Sequence, residues 1–141
     1  YIMLKLRTWK SIEFNCLYDG MLYAVYISLG FAVLENISYS IGYGWGTALI
    51  RAVTAVPGHA CFGVFMGAFY GFAKQYERIG RIDLSRRYRK FAVVVSAFIH
   101  GCYDLILSVE LPTIAFYTYT IAMFVLAFRL LRKMSDMDRY I

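Results

Sequence analysis

The chain has 141 residues, 60% of them hydrophobic and 18% aromatic, with a mean hydropathy of +0.55, a composition too apolar for one water-soluble core and suited to a bilayer. Its net charge of +6 does not point to nucleic acid, because no basic patch interleaved with stacking aromatics lies on a soluble segment. A spanning helix takes roughly 20 apolar residues, which leaves room for about four spans and short loops. The expected fold is therefore all-α, a polytopic transmembrane helix bundle forming a single domain over residues 1–141.

Residues 1–12 mix Ile2, Leu4, Leu6 and Trp9 with Lys5, Arg7 and Lys10, which fits the end of an earlier helix without requiring it and carries no signal-peptide pattern. The first apolar run covers 17–43, with Asp19 as its expected N-cap, and leaves through Gly42, Gly44 and Gly46. Those glycines are read as a turn, since the strand a phosphate loop needs is missing. The second run, 47–73, contains Pro57-Gly58, where a kink is expected, and then Gly63, Gly67 and Gly71, a ladder that lets another backbone come close. A polar stretch over 74–90 follows, then a third run over 91–110, a turn at Pro112 and a fourth run over 113–131. Cys16, Cys61 and Cys102 are odd in number and lack metal-type spacing, so they indicate no disulfide framework.

Of the 15 Lys and Arg residues, three lie in the N-terminal segment, seven in 74–90 and four at the C-terminal end, leaving only Arg51 for the opposite side. The positive-inside bias then puts the N-terminal segment, the 74–90 loop and the C-terminus in the cytoplasm of a multi-pass cell-membrane protein. Arg86, Arg87, Arg89 and Lys90 are read as a topology anchor that also meets anionic lipid head groups.

Four ionisable residues lie inside the apolar runs: Glu35 in the first, His59 in the second, His100 and Asp104 in the third. A charge at the bilayer centre costs about 2.5 to 3.5 kcal/mol on insertion scales, so such groups normally pair, face the bundle interior and mark function. Counting inward from the outer helix ends at a rise of about 1.5 Å per residue gives two levels about 6 Å apart, with the histidines at one and the carboxylates at the other. One shared pocket is expected. His100 and Asp104 are i and i+4 on one helical face with Ser96 and Tyr103, so the carboxylate can orient the imidazole. Two imidazoles and one or two carboxylates suit either a zinc-type site, with His59, His100 and Glu35 as ligands, or a metal-free site in which a carboxylate and an imidazole activate water. The residues leave that choice open. Each also has a plainer reading, as a buried histidine bonded to a carbonyl or as an interhelical clamp at Glu35-Asn36.

The series Tyr18-Asp19-Gly20, Leu29-Gly30-Phe31-Ala32 with Glu35-Asn36, His59 with the glycines after it, and His100-Gly101-x-Tyr103-Asp104 resembles the PrsW family of intramembrane proteases. The resemblance covers roughly residues 1–108. It implies that Phe31 and Glu35, then His59, then His100 with Asp104 correspond to three of four family motifs in order. The remaining Glu-Glu-x-x-Lys motif is absent, and its expected place is immediately before Tyr1. On that footing the chain reads as a C-terminal portion of a longer protein, inactive alone. The implied activity is that of an intramembrane peptidase with Glu35, His59, His100 and Asp104 as catalytic residues. Its implied partners are the lipid bilayer and a single-span membrane protein substrate, such as an anti-sigma factor cleaved in regulated intramembrane proteolysis.

Two alternatives come from other classes. An ion- or proton-coupled transporter would use the same four residues as a relay beside a broken helix, but no motif pair relates the first two runs to the last two. A non-catalytic scaffold would retain the architecture without the reaction.

Overall fold

A computed structural model describes residues 1–109 and 112–138. Its helices are α1 (Ile2–Thr8), α2 (Leu17–Tyr43), α3 (Trp45–Arg78), α4 (Ile82–Ser108) and α5 (Thr113–Asp136). The last four are long and apolar enough to cross a membrane, making this a multi-pass membrane protein. Around them, Leu34, Ile41, Leu49, Val53, Phe98 and Leu126 are exposed, as side chains facing lipid would be.

The helices outrun the apolar stretches that announce them. α3 continues to Arg78 and α4 already begins at Ile82, because residues 74–78 and 82–90 lose hydrophobicity but not helix propensity. What breaks the chain is Gly80, at φ +76°, a value open to glycine. The expected end of the third run, residue 110, lies outside the described residues. Gly44, at φ +85°, alone separates α2 from α3. Pro57 does not end its helix; α3 runs through it, at the loss of one backbone donor. Asp19 is not the N-cap of α2. Cys16 holds that position, while the Asp19 carboxylate, three residues in, accepts from the Asn15 and Cys16 amides at 3.0 and 2.8 Å.

α3 is the central element. Gly63, Gly67 and Gly71 lie directly against the backbone of α2, where a Cβ on Gly63 would sit 2.7 Å from Val25 Cα and one on Gly67 would overlap Met21. Facing them, a Cβ on Gly20 would come within 2.7 Å of the Gly71 nitrogen. Such closeness lets dispersion hold two helices where no hydrophobic drive operates. α4 and α5 pack on the rest of α3, with Met123 and Ala127 buried and the Tyr119 hydroxyl donating to the Ile99 carbonyl at 2.6 Å. Among the described residues α2 and α4 both pack on α3 without packing on each other.

Residues 1–16 fold back on the C-terminal part of α3. Phe14 stacks on Tyr70, both wholly buried, and Trp9 meets Phe14 edge-on and Tyr70 at a tilt. Lys74 is buried there and donates to the Trp9 carbonyl at 2.8 Å and to Glu77 at 3.1 Å, while the Trp9 indole donates to the other Glu77 oxygen at 2.9 Å. Each polar atom in this clasp thus has a partner inside it.

Candidate active site

The gap between α2 and α4, floored by α3, is a cavity of about 820 Å³. Its walls include Ser28 and Phe31 from α2, His59 and Phe62 from α3, and Ser96 and His100 from α4, and it extends as far as Tyr1. The lining is mainly apolar with few polar groups, the usual character of a small ligand or substrate site.

The histidines stand side by side in this cavity, His59 from α3 and His100 from α4, ring centroids 5.0 Å apart and planes at 73°. Aromatic side chains fix both: His100 stacks on Phe62 at 4.7 Å, while His59 meets Phe62 edge-on at 5.4 Å and Phe31 at 5.7 Å. Phe62 follows His59 by three residues, so helical spacing brings that ring to it, while Phe31 reaches His59 from α2. The backbone is tied as well, with the Ser28 hydroxyl donating to the His59 carbonyl at 2.7 Å and Ser96 to the Phe62 carbonyl at 3.3 Å. His59 itself is only 4% exposed.

The carboxylates lie behind the imidazoles and do not line the cavity. Glu35 Oε2 is 3.1 Å from His59 Nε2. Since a carboxylate only accepts, this contact places a proton on Nε2 and leaves the ring's lone pair on Nδ1. Asp104 Oδ2 is 3.4 Å from His100 Nε2, a looser contact on a largely exposed side chain. The structure therefore brings Glu35, His59 and His100 together and attaches Asp104 to the edge of that group through His100. Asn36 makes the interhelical clamp, donating to the Ala48 carbonyl at 3.1 Å.

Arg51 belongs to this group although its position in the sequence suggested only a cation on the far side. Its Nη2 donates to the same Glu35 Oε2 at 2.7 Å, and its guanidinium carbon lies 3.6 Å from the Tyr39 ring centroid. The only signal was that it stood apart from the other 14 of the 15 cations.

Among the described residues, no group of three or more His, Cys, Asp or Glu side chains is arranged to hold a metal ion. Two imidazoles of the right chemistry are present, but Glu35 is engaged by Arg51 and His59. A complete zinc cage does not fit these residues as they stand.

The sequence matches the family described as PrsW family intramembrane metalloprotease over residues 1–130. It is similar to Protease PrsW of Halalkalibacterium halodurans, 41% identical over 111 residues, covering 76% of this chain and 47% of that protein. It is likewise similar to Protease PrsW of Bacillus subtilis, 37% identical over 108 residues with 77% and 48% covered, and to that of Clostridioides difficile, 33% identical over 105 residues with 72% and 43% covered. The chain spans about half the length of the curated relatives it matches. No solved structure matches it.

Proposed function

Because this chain belongs to the PrsW family of intramembrane metalloproteases, we propose that it forms the histidine-bearing part of a peptidase that hydrolyses a membrane-spanning protein substrate. The observation that carries this reading is the pair of imidazoles 5.0 Å apart in the lining of an apolar cavity, one of them held by a carboxylate at 3.1 Å. A lone buried histidine would need only a carbonyl partner; two rings against one cavity supply a base and an acid.

In the proposed reaction the Nδ1 lone pair of His59 takes a proton from water as the water oxygen attacks the scissile carbonyl, and Glu35 stabilises the imidazolium that results. His100 donates a proton to the departing amine, with Asp104 orienting its ring. The gap between α2 and α4 supports entry of a substrate segment from the membrane, since these helices do not pack on each other among the described residues. For zinc, the residues supply His59 and His100 and no gathered third donor, so no step here is routed through the ion. Metal content of the full-length protein, compared between wild type and a His59→Ala, His100→Ala variant, tests whether a metal joins these rings.

The charge distribution supports a cytoplasmic N-terminal segment, 74–90 loop and C-terminus, and on that reading Glu35 and the two histidines lie nearer the outer side of the membrane. Within the substrate class, we propose a single-span protein cleaved on the outer side of its span, an anti-sigma factor in regulated proteolysis being the example the family resemblance suggests. The decisive experiment expresses the full-length protein with single-span reporters. Cleavage lost in both His59→Ala and His100→Ala supports the proposal, whereas unchanged cleavage in both, with equal protein levels, ends it.

A further inference from the structure

We propose that Arg51 is a positioning residue for this site: its guanidinium, held between Tyr39 and Glu35, pins the Glu35 carboxylate in the place where it orients His59. The proposal rests on the protease reading for its functional half and on geometry alone for the other.

A single oxygen, Glu35 Oε2, accepts from both Arg51 Nη2 at 2.7 Å and His59 Nε2 at 3.1 Å. The shorter, charge-assisted bond is the stronger of the two and fixes where that oxygen lies. Without Arg51, the Glu35 side chain, 27% exposed, has only the imidazole to hold it and can rotate away, leaving either nitrogen of His59 free to carry the proton. Arg51 is itself held from the other face by Tyr39, whose ring lies 3.6 Å from the guanidinium carbon. Its Nε is buried and has no hydrogen-bond partner among the described residues. Arg51 also works against the charge bias that orients the membrane spans, since it stands apart from every other Lys and Arg in the chain.

The test compares wild type, Arg51→Gln and Arg51→Lys in the full-length protein, with histidine nitrogens labelled for NMR. The chain has only two histidines, so a His100→Gln sample assigns the spectrum. The expected result is a His59 ring protonated at Nε2 in wild type and in Arg51→Lys, and a mixture of tautomers in Arg51→Gln. Cleavage of a co-expressed single-span reporter should fall on the order of 10–100-fold in kcat for Arg51→Gln, as for other groups that orient a catalytic histidine, with KM unchanged and recovery in Arg51→Lys. Tyr39→Leu, which removes only the supporting ring, should move the tautomer ratio the same way by less, and it carries the test if Arg51→Gln does not fold. An unchanged tautomer ratio in these variants overturns the proposal. So does an Arg51→Gln loss that Arg51→Lys does not relieve, or one confined to KM. If the ratio shifts as described while wild type cleaves no reporter, positioning by Arg51 stands and the protease reading falls.

Discussion

The two ends of α3 carry similar ingredients to different ends. Near Arg78, Lys74, Glu77, Trp9 and Tyr70 form a clasp in which the lysine donates to a carbonyl and a carboxylate, the indole takes the other carboxylate oxygen, and Tyr70 is wholly buried. Toward Trp45, Arg51, Glu35, His59 and Tyr39 also combine a cation, a carboxylate and aromatic rings, yet here the two imidazoles face a cavity of about 820 Å³. A network that closes on itself contributes stability, while one that sets imidazole rings beside open space is prepared to meet another molecule.

Several substitutions would break or sharpen that contrast. The most severe should be Gly67→Leu, which strikes the framework carrying both ends: with Met21 already in contact, the added side chain forces α2 off α3, and little folded protein should be recovered from membranes on size-exclusion chromatography. Next, His59→Ala in the full-length protein should lower reporter cleavage on the order of 10²–10⁴-fold with its melting temperature preserved, the range for loss of a general base. A matching loss of stability would instead make the histidine end a second structural clasp. At the opposite end, Lys74→Met should do the reverse, lowering stability by about 2 kcal/mol in SDS-induced unfolding while cleavage at saturating substrate is unchanged, because a buried charged donor is lost far from the imidazoles. The smallest effect belongs to Asp104→Asn. Its contact with His100 is 3.4 Å long and its side chain 61% exposed, so cleavage should slow by less than about fivefold in the same reporter assay.

How much of this could be read from the sequence follows from how far apart the partners are in the chain. Spans were legible because each rests on a local property, a run of apolar residues, and the histidines and Glu35 because a charge inside such a run is conspicuous. His100 and Asp104 were paired by helical spacing alone. Arg51 was not, since its partner is 16 residues back across the Gly44 turn and nothing local to either residue announces the other. The clasp was equally hidden: Trp9 and Glu77 are separated by 68 residues, so residues 1–12 offered only an amphipathic segment of uncertain kind. Helix ends were misjudged at 74–90 because hydropathy marks where a membrane stops and not where a helix does.

The single-residue turn at Gly44 bears on biogenesis. Two helices so tightly joined can enter the lipid as one hairpin, in which Glu35 and Arg51 arrive already facing each other. Either charge inserting alone would enter the hydrocarbon uncompensated, whereas a paired entry presents the translocon with a neutral couple. Lengthening the turn, or replacing only one of the two residues, should therefore lower the fraction of nascent chains that adopt both spans in glycosylation mapping, before any chemistry at the histidines is tested.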